Sequence, residues 1–337
     1  MKNTRGFTLV EVMIAMAIGL IVVGGVAAVL ISSSSLYRSS SNRARLQENS
    51  RFALGAMQED VRMAGYMGCF NIRMYPGHFT NLAGTGFATD YRTLVGGHEA
   101  GATGWLPALN ASVGNGGHAP LAGSDVLVVR VPVGPSQPLS APMTTSSTPI
   151  FVADTSDFSV GGLAIISNCS YANVFVVTNI ASGDRLLHAH AAGGNSDAHL
   201  TRVFSNTQRA TVTPLATVSY FLANASNGVA GNHALFRQQG SGAAEEVADG
   251  VEQMQIEYGI DTDLPPDMVP NKFVTANQIG AAPVIAIKVS VLLRSVENNV
   301  VRAAQHYNFD GNVDVTPTDR RLYTPFTTTI ALRNRGD

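Results

Sequence analysis

Cysteine, tryptophan and charge are all scarce in this sequence: its 337 residues hold two cysteines, one tryptophan and 14% charged side chains. Two cysteines exclude a disulfide-dense scaffold, and neither Cys69 nor Cys169 has a second thiol at metal-ligand spacing. Lys and Arg number 22 against 24 Asp and Glu, a formal charge of −2, so the basic surface that neutralises nucleic-acid phosphates is missing. No nucleic-acid binding by the chain itself is expected. Signatures of catalysis are missing too. There is no nucleophile motif, phosphate loop or His-Glu-x-x-His zinc pattern, so neither an enzyme nor a cofactor is expected. Proline is absent until Pro76.

What fills the proline-free segment is a long apolar run. From Phe7 to Ile31, "FTLVEVMIAMAIGLIVVGGVAAVLI", Glu11 is the one charge. As a helix these residues extend about 37 Å at ~1.5 Å per residue, enough to cross a hydrocarbon core about 30 Å thick. A secretory signal would have a shorter apolar region and a small-residue cleavage site opening onto a turn, whereas here helical character continues. Leu46, Ala53, Met57, Val61 and Ala64 recur at sums of three and four, with Arg43, Arg45, Glu48, Arg51, Glu59 and Arg62 available for the other sides. The pattern predicts one helix from Phe7 to about Gly65, a membrane half over 7–31 and an amphipathic half over 32–68. Gly19, Gly24 and Gly25 are its expected points of bending or local melting, since glycine costs about 1 kcal/mol relative to alanine in a helix.

Lys2 and Arg5 precede the run, which keeps that end in the cytoplasm and puts the C-terminal body on the far side of the membrane. There, Cys69 and Cys169 read as one disulfide closing a loop of about 100 residues, worth on the order of 4.7 kcal/mol in the chain-entropy model.

From Cys69 onward, over 69–337, the composition turns to Gly, Ala and Thr with short alternating apolar runs. In "DVLVVRVPV" Leu127, Val129, Val131 and Val133 share a face; in "VIAIKVSVLLRS" Ile285, Ile287, Val289, Val291 and Leu293 do, with Lys288, Ser290 and Arg294 opposite. "GLAIIS", "VFVVTNI", "TVSYFLAN", "ALFRQ", "VEQMQIEYGI" and "FTTTIALRNR" add further strands. The expected fold class is α+β: a long N-terminal helix packed on a β-rich head. Glycine-rich residues 76–123 and the Pro/Ser/Thr-rich 134–149 read as long loops on one decorated domain, available for recognition.

Glu11 needs a reason to lie in a lipid-facing helix. One is that it sits near enough to the membrane edge to reach water. The other comes from its neighbours: "RGFTLVEVMIAMAIG" resembles the processing signal of type IV prepilins. The resemblance implies that residues 1–6 are a leader, that a membrane prepilin peptidase cleaves after Gly6, and that Phe7 becomes an N-methylated first residue. Thr8 and Leu9 are its expected companions, and Glu11 would neutralise a buried α-amino group in the filament core. "RMAGYMGC", "SDVLVVR", "SNCSYANVFVVT", "SYFLAN" with "ALFRQ", "VADGVEQMQIEYGID", and "RRLY" with "ALRNR" resemble, in that order, the PilW family of minor pilins.

That resemblance implies a pilin-like fold and a low-abundance pilus subunit that joins other minor pilins in a complex priming assembly or capping the tip. The filament would serve twitching motility, adhesion or DNA uptake. Expected partners are the peptidase, other minor pilins, the major pilin, an inner-membrane assembly platform and, before assembly, lipid. Two other readings stand beside it: a minor pseudopilin of type II secretion, and a pilus-displayed adhesin using the loops from Pro76 to Gly123.

Metal-type clusters have plainer readings. His188, His190 and His199 fall in a glycine-rich loop; Asp261, Asp263 and Asp267, and Asp310, Asn312 and Asp314, invite calcium but lack the twelve-residue loop with its closing glutamate. Turn formation is the default for these acids. Trp105 and the tyrosines read as packing residues.

Overall fold

The computed structural model describes residues 8–72, 74–190, 194–280 and 282–335. Helix α1 runs through Leu9–Met63, 55 residues and about 82 Å at ~1.5 Å each. It passes unbroken through Gly19, Gly24 and Gly25, so the expected local melting does not occur there. Their neighbours along the helix are apolar residues with no polar side chain to compete for the backbone hydrogen bonds, and three glycines at about 1 kcal/mol each do not break a helix of 55 residues. Above the apolar run, the buried stripe is Leu46, Ala53, Met57 and Val61, as the spacing predicts, and Asn42 and Ser50 lie on the same side.

The helix stops at Met63, short of residue 68. Ala64 leaves the helical region and Gly65 takes φ +73, where a Cβ would run into the Leu94 side chain.

Among the described residues, the largest sheet holds ten strands. They are β1 (Phe79–Asn81), β2 (Val95–Gly101), β3 (Gly104–Leu106), β4 (Val126–Pro132), β5 (Gln137–Pro138), β7 (Leu163–Ser167), β8 (Ala172–Val176), β11 (Thr211–Asn224), β12 (His233–Gln239) and β13 (Ala244–Asp249). β11 is its spine: it pairs with β7 over Thr211–Leu215, with β4 over Leu215–Tyr220 and with β12 over Val218–Asn224. A second sheet runs in the order β15 (Lys272–Val274), β14 (Val251–Ile260), β16 (Val284–Arg294), β19 (Tyr323–Ala331). Small sheets formed by β6 (Ile150–Phe151), β10 (Arg185–Leu187) and β9 (Asn179–Ala181), and by β17 (Tyr307–Phe309) and β18 (Asn312–Val315), decorate the edges.

Alternation along each strand decides what it covers. Leu127, Val129 and Val131 of β4 and Val218, Tyr220 and Leu222 of β11 enter one core with Met254, Ile256 and Tyr258 of β14 and Ile287, Val289, Val291 and Leu293 of β16. Leu46, Ala53, Met57 and Val61 of α1 belong to that same core, so the helix is sealed against both sheets. The other face of the large sheet buries Val126, Val128, Phe221 and Phe236 with Val113.

Residues 76–123 are not the continuous loop their glycines suggest, because β1, β2 and β3 lie within them. The glycines in β2 have a steric cause. Tyr258 Oη donates to the Gly96 carbonyl at 2.9 Å, and a Cβ on Gly97 would collide with that hydroxyl and with the Val126 carbonyl.

Met57 is fully buried while Phe52, five residues earlier on another side of the helix, is 60% exposed. Met57→Ala is expected to destabilise the detergent-solubilised chain by about 2–5 kcal/mol and Phe52→Ala by less than ~0.5, measured as shifts in chemical denaturation.

Candidate functional site

The N-terminal end of α1 is organised by two side chains. Thr8, in extended backbone, caps the helix: its Oγ1 accepts from Glu11 N at 3.3 Å and donates to Glu11 Oε2 at 3.0 Å, while Thr8 N donates to the same oxygen at 2.9 Å. The Glu11 carboxylate is thereby folded back over the helix start, toward the chain that precedes it. Gly6 and Phe7, the expected cleavage pair, lie outside the described residues, as do Lys2, Arg5 and the rest of segment 1–6. Leu9 is 77% exposed.

Beyond it, no residue from Leu9 to Ile31 is buried by the rest of the chain, and among the described residues α1 is the only helix long and apolar enough to cross a membrane. An apolar surface of this length, with Glu11 as its one charge, has to be covered by lipid or by other helices.

The outer end of α1 is locked to the head by polar groups flanking the buried stripe. Asp60 Oδ2 accepts from Tyr220 Oη at 2.6 Å and from Arg237 Nε at 2.8 Å. These bonds fix the helix's rotation, because a turn about its axis would strand three polar groups. Asn334 Nδ2 donates to the Ala64 carbonyl at 3.1 Å and the Arg62 carbonyl at 3.3 Å, satisfying acceptors left open at the helix end. Neither Asp60 nor Asn334 was identifiable from the sequence. Asp60 falls among the other charged residues of the amphipathic half, and the partners of both lie more than 150 residues away.

Just past the helix, Cys69 and Cys169 form a disulfide with Cα atoms 4.7 Å apart. Ser167 Oγ donates to the Met67 carbonyl at 2.8 Å beside it. The link therefore ties the helix exit to the end of β7, next to the spine strand.

A second cluster is acidic. A cavity of about 550 Å³ over the outer face of β14 and β16 is lined by Glu99, Glu257 and Asp310, with Lys288 held to Glu257 at 2.6 Å. Behind it sits Asp125, 2% exposed, accepting from Ala100 N and Ile256 N, each at 2.8 Å. Burial pushes its carboxyl up to about 7, with Glu99 and Asp310 adding to the effect and the two N–H groups opposing it. Glu99 and Asp310 are also raised, chiefly by burial.

The metal-type clusters divide. Side-chain oxygens of Asp261, Asp263 and Asp267 lie within 4.8 Å of one another, yet Asp261 already accepts from Asp263 N at 3.0 Å and Met268 N at 2.8 Å, as in a turn. His188 is buried against Phe175 and bonds the Thr148 carbonyl at 3.1 Å, whereas His190 is exposed and His199 is exposed beside Asp197. Asp310 and Asn312 shape the β17–β18 hairpin, and Asp314 pairs with His306 at 2.8 Å.

With this geometry in view, residues 219–334 match the family "Type IV Pilus-assembly protein W" and residues 1–27 match the "Prokaryotic N-terminal methylation motif". No curated protein and no solved structure matches the chain. The first match covers the second half of β11 through β19, including the second sheet, Tyr220, Arg237 and Asn334; the second covers Thr8, Glu11 and most of the apolar run.

Two measurements probe these contacts. Asp125 keeps its proton to about pH 7 when folded, whereas the unfolded chain releases it near pH 4. The native state thus binds more protons between those limits, and stability is expected to fall by roughly 2–4 kcal/mol as pH rises from ~4 to ~7. Denaturation midpoints across that range should show the fall, and Asp125→Asn should flatten it. Cys169→Ser should cost about 2–5 kcal/mol by the same assay.

Proposed function

The chain belongs to the PilW family of type IV pilus-assembly proteins and carries the N-terminal methylation motif, and from that premise we propose that it is a minor pilin which primes assembly with other minor pilins and resides at the filament tip. The observation that carries this reading is the division of α1. Its outer half is consumed by the head's core, and its inner half is left wholly uncovered. The same surface serves as membrane anchor before assembly and as helix-to-helix interface afterwards, so extraction by the assembly platform exchanges lipid contacts for contacts with the major pilin and other minor pilins.

The family is structural, not catalytic, and we assign this chain no chemistry of its own. It is instead a substrate of prepilin peptidase, cleaved between Gly6 and Phe7 and methylated on the Phe7 nitrogen. Cleavage creates a positive α-amino group one residue before Thr8. Glu11, whose carboxylate already accepts from Thr8 N, is placed by this reading to pair with that amine or with one on a neighbouring subunit. Burying the two as a hydrogen-bonded pair costs less than burying either alone, and it fixes the stagger between subunits. The head then lies in the periplasm while the helix is in the inner membrane, and at the cell surface in the pilus. The match over residues 219–334 favours the pilus over the secretion pseudopilin reading.

Gly6→Ala should accumulate as uncleaved precursor on immunoblots; normal processing would remove the cleavage assignment. Glu11→Ala should be cleaved normally yet recovered in sheared filaments at least about tenfold less than wild type, a loss of ~1.4 kcal/mol of pairing. Unchanged incorporation would end the proposed role for the carboxylate.

A further inference from the structure

The level at which α1 leaves the apolar run coincides with a cleft of about 440 Å³ between the helix and the head loop 296–302. Its helix wall changes chemistry along the axis. Leu30 and Ile31 are apolar and exposed, Ser34 and Ser35 supply hydroxyls, and Arg38 supplies a cation. Asn299 and Val300 form the opposite wall.

We propose that this cleft seats the headgroup of an anionic phospholipid from the membrane in which the helix is anchored, holding the head against the bilayer before assembly. The proposal rests on the anchor reading of α1 but concerns a different surface. Arg38 lies seven residues past Ile31, about 10 Å along the axis. A bilayer about 40–45 Å thick over a ~30 Å core leaves an interfacial layer of ~5–8 Å on each side, so the Arg38 backbone stands just above that layer and its long side chain, tilted toward the helix N-terminus, reaches back to the phosphates while Leu30 and Ile31 meet the acyl chains. The serines between them sit at the ester level. An apolar-to-hydroxyl-to-cation sequence in that order is the chemistry of a phospholipid read from tail to head.

The loop wall is held rigidly enough to act as one side of a site. Val300 is buried in the main core, and the N–H groups of Val300 and Val301 both donate to the Arg320 carbonyl, at 3.0 and 3.1 Å. Asn299, in left-handed backbone with φ +60, accepts from Arg320 Nη2 through Oδ1, which leaves its Nδ2 as a donor. Charge agrees with an anionic occupant. Arg38, Arg302 and Arg320 are all exposed in these segments, and the loop's one acid, Glu297, is drawn toward Arg45 at 4.0 Å, farther from the membrane.

The test uses the full chain in lipid nanodiscs of phosphatidylcholine, with and without phosphatidylglycerol, reading backbone amide exchange of residues 296–302 by mass spectrometry. Exchange should slow by about threefold or more in the anionic discs, and Arg38→Gln should abolish that difference while the amides of β11 exchange unchanged. Equal exchange in the two lipids, or a lipid effect that survives Arg38→Gln, overturns the proposal. Protection that appears only as copies per disc increase assigns the cleft to a second copy's helix and overturns it equally. A chain that does not co-elute with the discs refutes the anchor itself, and is distinguished by that failure.

Discussion

One helix has to satisfy two solvents, and the rest of the structure follows from that demand. Along α1 the lower half is apolar on all sides, while the upper half narrows to a stripe through Leu46, Ala53, Met57 and Val61 that the head buries. Neither half can be changed independently. The stripe must point toward the sheets at the rotation set by Asp60, Tyr220 and Arg237, and that rotation, carried down an unbroken helix, decides which side of the apolar half each residue faces. The head therefore does more than decorate the helix: it fixes the orientation of the surface through which the chain meets its neighbours.

The closures near residue 65 make that orientation durable. Gly65 ends the helix, Asn334 from the last segment satisfies its carbonyls, and the Cys69–Cys169 disulfide ties the exit to β7. These closures join three separate parts of the sequence, residues 65–69, Cys169 and Asn334, so the helix end is not held by any one strand.

Much of this was legible in the sequence, and the reasons are local. The apolar run and the 3.6-residue stripe announce α1, and "VEQMQIEYGI" coincides residue for residue with β14, whose apolar and polar residues alternate from Met254 to Tyr258. β2 was hidden, since its glycines are set by the Tyr258 hydroxyl that reaches the Gly96 carbonyl and occupies the space of a Gly97 Cβ, a contact between residues more than 150 apart. The disulfide was readable only because two cysteines allow a single pairing. Asp60, Asn334 and the raised Asp125 were not readable: each owes its role to partners distant in the chain, and Asp125 to burial as well, which a polar letter in a sequence does not disclose. His188 has the same lesson in reverse: its glycine-rich setting reads as a solvated loop, yet the residue is buried beside Phe175.

The central claim is that the bare half of α1 passes from lipid into a filament after processing at Phe7. Filaments sheared from intact cells and analysed by mass spectrometry for a peptide beginning at N-methylated Phe7, quantified against the major pilin, test it most directly. The account predicts that peptide at a small and reproducible fraction of the major subunit. Processed protein confined to the membrane fraction, with none in the sheared filaments, would contradict it.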